Sequence, residues 1–182
     1  MIKGDILQIP EELLKKFQFQ NAKDQFMKAQ DKKNHCAEVY YQQSMFFKNH
    51  NKTKAAQTSL EHSIKMNPSL SDSHRDLGIL FSNQNQLDDA RLHLEKALDL
   101  EYADPNSHMH LGKIMTQMKD YEDAEQHFLS AMDINPEFAE CMLELASLKL
   151  KMKQKKEAKK YYLQAKAITP SLKNAVLEKA IR

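Results

Sequence analysis

The sequence predicts an all-α fold built from short helix–turn–helix repeats, and three observations lead to that prediction. First, its 182 residues include only 3 Gly and 5 Pro, too few for the many tight turns of an all-β domain. Second, the helix-favouring residues Lys, Glu, Gln, Leu and Ala are abundant. Third, alanines recur at one constant interval, which we call the repeat period, at Ala22, Ala56, Ala90, Ala124 and Ala158.

Other positions follow the same period, and each keeps one type of side chain. A large apolar residue recurs at Phe26, Leu60, Leu94, Phe128 and Tyr162. A small residue recurs at Ala29, Ser63, Ala97, Ala131 and Ala165. Proline recurs at Pro68, Pro136 and Pro170, with Tyr102 once in its place. We expect the small residues where helices cross closely, because a larger side chain would not fit there. A leucine at Ala124 or Ala131 should overpack the contact and cost about 1–3 kcal/mol of stability.

Residues 105–138 indicate how one period folds. Apolar residues of the first half lie at helical spacing: Leu111, Ile114, Met115 and Met118. Those of the second half do the same: Tyr121, Ala124, Phe128, Leu129 and Met132. Residues 133–136 end the second helix, because proline cannot continue it. Two such helices cannot bury their apolar faces alone, so stacked units with capped ends are predicted.

The pattern resembles the tetratricopeptide repeat family, which has a small residue in the first helix, Ala, a large apolar residue and Ala in the second, and a closing Pro. The matching positions are Gly78, Ala90, Gly112, Ala124, Phe128, Ala131, Pro136, Ala158, Tyr162, Ala165 and Pro170. The resemblance implies a right-handed superhelical solenoid. The inferred repeats run over 37–70, 71–104, 105–138 and 139–172.

The two ends of the chain depart from the repeat pattern. Residues 1–36 retain only the second-helix positions Ala22, Phe26 and Ala29, while Pro10 interrupts the first half, so a degenerate leading repeat is predicted there. The segment 173–182 is short and amphipathic, as expected of a C-terminal capping helix.

The composition favours a cytoplasmic protein without catalytic, cofactor or metal sites. The net charge is only +2, no apolar run is long enough to cross a membrane, and the first residues lack the apolar core of a signal peptide. Cys36 and Cys141 form no CxxC motif and are predicted to be buried small residues rather than nucleophiles. No phosphate loop, GxSxG or HExxH motif occurs. His108 and His110 are two residues apart and diverge on a helix, so a shared metal ion is not expected.

The lysine-rich segment 149–160 has two interpretations. It holds seven lysines: Lys149, Lys151, Lys153, Lys155, Lys156, Lys159 and Lys160. The favoured interpretation is a solvated edge of a turn. The other is a basic patch for an acidic partner, a membrane surface or nucleic acid, although the segment lacks interleaved aromatic residues apart from Tyr161 and Tyr162 just after it.

By resemblance, the first helices line a concave groove that binds peptides. The groove residues are Tyr41, Met45, Asp72, Arg75, Asp76, Ile79, Asn106, Met109, His110, Lys113, Glu140, Leu143, Glu144, Ser147 and Leu150. An exposed apolar row is expected among them at Tyr41, Met45, Ile79, Met109, Leu143 and Leu150. Beside it, an acidic row is expected at Glu38, Asp72, Asp76, Glu140 and Glu144.

One subclass of the family grips the C-terminal carboxylate of heat-shock chaperones with Lys, Asn, Asn, Lys and Arg. The corresponding positions here are Tyr41, Met45, Asp76, Asn106 and His110 in one frame. In the next frame they are Arg75, Ile79, His110, Glu140 and Glu144. Neither set makes a carboxylate clamp, so a chaperone C-terminus is not the expected ligand.

The sequence therefore predicts a non-enzymatic adaptor or scaffold that binds a partner peptide or helix with apolar anchors and some basic residues. One alternative is a self-assembling scaffold, in which residues 1–36 dock onto another copy of the chain. A weaker alternative is binding of nucleic acid or acidic lipid through the lysine-rich segment.

Overall fold

The computed structural model describes residues 37–172 and 174–180. The chain divides into two compact units, Met1–Pro68 and Ser69–Arg182. The predicted leading repeat at 1–36, with Cys36, lies outside the described residues, as do residues 173, 181 and 182 of the predicted cap.

The described residues form helices and contain no strand, which confirms the all-α prediction. The first unit contains α1 (Ala37–Asn49) and α2 (Thr53–Met66). The second unit contains α3 (Ser71–Asn83), α4 (Leu87–Leu100), α5 (Pro105–Met118), α6 (Tyr121–Ile134), α7 (Ala139–Lys151), α8 (Lys155–Ile168) and α9 (Ala175–Ala180). Consecutive helices pack as helix–turn–helix pairs, α1 with α2, α3 with α4, α5 with α6 and α7 with α8. None of these helices is long and apolar enough to cross a bilayer.

The turn inside each pair has a residue with left-handed backbone torsions. These residues are Asn51, Asn85, Lys119 and Lys153, with φ values of 56°, 61°, 72° and 63°. Each lies one repeat period after the one before it, so the sequence period is also a period of the backbone. Asparagine tolerates this conformation better than most residues, whereas lysine has no local hydrogen bond to offset its cost.

Small residues allow the two helices of each pair to approach closely. A Cβ atom added to Gly112 on α5 would lie 2.7 Å from the ring of Phe128 on α6. Ala124 and Ala131 on α6 are fully buried beside that ring, which is itself 1% exposed. The aromatic ring therefore occupies space that any side chain at residue 112 would need.

Helix α9 covers the end of the α7–α8 pair. Its Leu177 is 1% exposed and packs with Ala146, Ala158 and Tyr162. The Tyr162 hydroxyl donates a hydrogen bond to Glu178 at 2.5 Å. These contacts bury apolar surface that the last pair would otherwise leave open to water.

Candidate functional site

Within the second unit, the first helices α3, α5 and α7 lie next to one another, α3 against α5 and α5 against α7. We use the term first-helix surface for the residues of these helices that are predicted groove positions and remain at least partly exposed. They are Asp72, Arg75, Ile79, Asn106, His110, Lys113, Glu140, Leu143, Glu144, Ser147 and Leu150. In the first unit, Tyr41 and Met45 are also partly exposed on α1.

Two predicted groove residues are buried, and for these the sequence prediction is wrong. Met109 is 2% exposed and belongs to the core cluster that contains Ala90 and Leu94 of α4. Helix α5 packs against α4 as well as α6, so the side of α5 that carries Met109 is covered. Asp76 is 7% exposed, because it lies among the packed residues of α3. Neither side chain can serve as an exposed contact for a ligand.

The predicted acidic row is partly neutralised by two cations of the same surface. Arg75 Nη1 lies 2.6 Å from a carboxylate oxygen of Asp72, and Arg75 Nε lies 3.8 Å from Asp76. Lys113 on α5 lies 3.0 Å from Glu144 on α7. Partly exposed pairs of this kind stabilise a fold only slightly, but they offset part of the negative potential that the sequence suggested.

Arg75 also joins α3 to the start of α5, through Asp104. Asp104 is the N-cap residue of α5 and accepts hydrogen bonds from the backbone N–H of Asn106 at 3.0 Å and the Ser107 hydroxyl at 2.6 Å. Arg75 Nη1 lies 3.3 Å from the same carboxylate. Burial alone would raise the pKa of Asp104, but the Ser107 hydroxyl, the Arg75 charge and the Asn106 amide outweigh it, so this pKa lies below its usual value.

Two histidine pairs recur one period apart inside the second unit. The Nδ1 atoms of His74 and His93 lie 3.1 Å apart, and those of His108 and His127 lie 3.2 Å apart. The Nε2 atom of His108 lies 3.1 Å from the Tyr102 carbonyl, so Nε2 carries the hydrogen and donates it. His108 Nδ1 then accepts the hydrogen of His127 Nδ1, an arrangement that cannot accommodate two charged rings.

Acidification should destabilise the protein through the His108–His127 pair. Burial lowers the pKa of both rings below the ordinary 6.5, and for His127 the neighbouring His108 lowers it further. The unfolded chain therefore takes up protons near pH 6.5 that the folded chain does not. The free energy of unfolding should be highest above that pH, and it should fall as the pH drops towards the pKa values of the folded chain. Urea unfolding between about pH 7.5 and 5.5 measures this dependence.

The matched control for this prediction is His127→Gln. The glutamine amide can still donate to His108 but cannot be protonated, so the fall in stability towards low pH should become shallower. Identical pH profiles for the wild type and His127→Gln would contradict the assignment to this pair.

Cys141 lies in the core, as the sequence predicted. It is fully buried, and its thiol lies 3.4 Å from the Phe128 carbonyl, to which it donates. Burial, followed by the charges of Glu144 and Glu140, raises the pKa of Cys141 to about 12. In the described ranges, no group of three or more His, Cys, Asp or Glu side chains could hold a metal ion.

Lys149 is not the solvated residue that the sequence suggested. It is 3% exposed and donates hydrogen bonds to Glu125 on α6, at 2.6 Å, and to Glu157 on α8, at 2.9 Å. Burial alone would lower the pKa of Lys149, but the two acceptors outweigh it and the pKa lies above its usual value. This lysine therefore connects three helices, whereas the other six lysines of the segment 149–160 are exposed.

Sequence reasoning missed the Asp104 cap, the histidine pairs and the Lys149 ion pairs. Asp104 precedes Pro105, a combination typical of a helix start, so this cap could have been predicted from the sequence. The histidine pairs could also have been predicted, because His74 and His93 recur one repeat period later as His108 and His127. The burial of Lys149 left no signal in the sequence, since it lies in a run of similar residues.

Comparisons with known proteins agree with this architecture. Two models described as tetratricopeptide repeat match residues 37–70 and 115–176. The crystal structure of MamA has a TM-score of 0.76 and 17% identity, covering 93% of this chain and 97% of that one. PilW, described as a widely conserved type IV pilus biogenesis factor, has a TM-score of 0.79 and 17% identity, with 93% and 81% covered.

A third solved structure, MamA 41-end from Desulfovibrio magneticus RS-1, has a TM-score of 0.72 and 17% identity, with 91% and 99% covered. At these identities the likeness concerns the fold. No match was found among curated proteins. The two family matches and the helix pairs described above lead to one conclusion: the chain belongs to the tetratricopeptide repeat family.

Proposed function

We propose that this protein is a non-catalytic adaptor whose first-helix surface binds a peptide or helix of a partner protein. One observation carries the proposal: Ile79 on α3 and Leu143 and Leu150 on α7 keep part of their apolar side chains exposed. The intervening helix α5 contributes the polar groups of Asn106 and His110. Apolar anchoring points around a polar strip suit a ligand that buries apolar side chains and hydrogen-bonds between them.

The ion pairs of the first-helix surface indicate what kind of ligand it would bind. Since Arg75 already pairs with Asp72, and Lys113 with Glu144, an added basic side chain would compete with existing ion pairs. The ligand should therefore depend on apolar anchors, with charged residues affecting mainly the association rate. This departs from the sequence-based expectation of a partly basic ligand.

The test uses peptides selected from a displayed library against the full chain. Leu143→Glu should weaken their binding by about tenfold or more, because it places a charge at an apolar anchor. The control is Leu92→Glu, since Leu92 is 63% exposed on the second helix α4, away from the first-helix surface. Fluorescence anisotropy measures affinity, and thermal unfolding verifies that both variants are folded. Equal affinities for the two variants would remove the first-helix surface as the binding site.

Self-assembly through residues 1–36 remains an alternative prediction. Light scattering over a concentration series distinguishes it from adaptor function. A molecular mass that stays monomeric at every concentration argues against the scaffold, and a mass that rises with concentration argues for it.

A further inference from the structure

A positively charged surface lies around the turn between α7 and α8 and on the first turns of α8. Five lysines here are exposed: Lys153, Lys155, Lys156, Lys159 and Lys160. Within the described residues, none of the five forms a salt bridge with a carboxylate. We call this group the lysine patch. It lies on the second helix of its pair and is therefore separate from the first-helix surface.

The lysines of the patch form no salt bridge with the acidic residue of their own segment, and the reason is structural. Glu157 is the sole acidic residue of the segment 149–160. Its carboxylate lies 2.9 Å from Nζ of the buried Lys149, which also binds Glu125. Because the buried lysine holds this acid, Glu157 forms no salt bridge with the exposed lysines beside it.

Local stability does not explain the patch. Lys155 and Lys156 occupy the first turn of α8, where positive charge opposes the helix dipole. Lys153 adopts a left-handed conformation, with φ of 63°, that disfavours a side chain of its type. Neighbouring lysines also repel one another. These three unfavourable contributions leave the positive charge of the segment without a stabilising role in the fold.

The surroundings of the patch favour a compact acidic ligand. The first turn of α6 and the residue before it expose Asp120, Glu122 and Asp123, so the corresponding turn one pair earlier is acidic. A nucleic acid strand or a membrane plane would extend over those acids and be repelled by them. A short acidic segment can contact the lysines alone.

An exposed leucine lies among the lysines. Leu163 is 54% exposed and follows Lys159 by four residues and Lys160 by three, so all three share one face of α8. An isolated leucine is too little for membrane insertion, but it provides one apolar contact for a polypeptide. The patch also contains no arginine, the residue that recognises phosphate with paired hydrogen bonds.

We propose that the lysine patch, together with Leu163, binds a short acidic segment of a partner polypeptide that carries one apolar residue. The acidic residues meet the lysine ammonium groups, and the apolar residue packs on Leu163. Added salt should weaken this binding, because every cation involved is exposed and its attraction for the acidic residues is screened.

The experiment measures binding of the fluorescein-labelled peptide Glu-Glu-Asp-Leu-Glu-Glu-Asp to the full chain by anisotropy. The variant is the triple change Lys155→Glu, Lys156→Glu and Lys159→Glu, which should weaken binding by at least about tenfold. The control carries the same change of charge at three exposed lysines of the first unit, Lys52→Glu, Lys54→Glu and Lys65→Glu. Its affinity should stay within about twofold of the wild type.

Folding of the triple variant is expected, because negative charge in the first turn of α8 complements the helix dipole. If it nevertheless unfolds, Gln at the same three positions replaces it. Equal losses in variant and control would overturn the proposal, as would failure of the wild type to bind the peptide. Tighter binding of an oligothymidine strand or of phosphatidylserine vesicles than of the peptide would also overturn it.

Discussion

Phe128→Ala should lower the free energy of unfolding by about 3–5 kcal/mol, the largest effect expected for one substitution in this chain. The ring is 1% exposed and fills the space between α5 and α6, next to Gly112. Removing it leaves a cavity that the surrounding alanines are too small to fill. Urea unfolding followed by far-ultraviolet circular dichroism measures the loss.

The coupling between Phe128 and Gly112 makes this prediction specific. Gly112→Ala alone should also destabilise, because its Cβ would lie 2.7 Å from the ring. In the Phe128→Ala background the same Cβ has room, so the double variant should lose less stability than the two single variants together. Leu92→Ala, at an exposed position, serves as the control and should change stability by at most about 0.5 kcal/mol. Strict additivity would contradict the contact.

Lys149→Met should cost about 1–3 kcal/mol of unfolding free energy, because it leaves the carboxylates of Glu125 and Glu157 without their buried cation. The cost lies below that of a fully buried pair, since the two carboxylates are 24% and 51% exposed and can turn towards water. Thermal or urea unfolding of the variant provides the measurement.

A charge-balanced variant distinguishes the ion pairs from packing. Adding Glu125→Gln and Glu157→Gln to Lys149→Met removes the orphaned charges and should restore part of the lost stability. Lys151→Met, two residues along the same helix and exposed, should be nearly neutral. If Lys149→Met and Lys151→Met behave alike, the three-helix connection contributes nothing to stability.

The sequence could predict the fold because the repeat relates many positions by one rule. The repeat period specifies which side chains must be small, so a close approach of helices at Gly112 could be predicted from the sequence. The structure adds that the ring of Phe128 is what approaches it. The all-α class and the family could be predicted from the same repeat, and both predictions are confirmed. Helix starts such as Asp104 followed by Pro105 are also local signals.

The site was less predictable, because exposure depends on which neighbouring helix covers a position. Met109 follows the family register for a groove residue, yet it is buried by contacts with α4 that the register does not encode. Asp72 and Glu144 were predicted to belong to an acidic row, but the structure pairs them with Arg75 and Lys113. Pairing between helices is a three-dimensional property, and the spacing of charges along the chain does not determine it.

The left-handed residues in the turns have a consequence for protein engineering. Asn85 and Lys119 share nearly the same φ, 61° and 72°, and lie one period apart. The segment 86–119, cut after each of them, therefore begins and ends in matching backbone geometry. We expect that this segment can be duplicated or deleted without a designed linker, so that the number of helix pairs becomes adjustable.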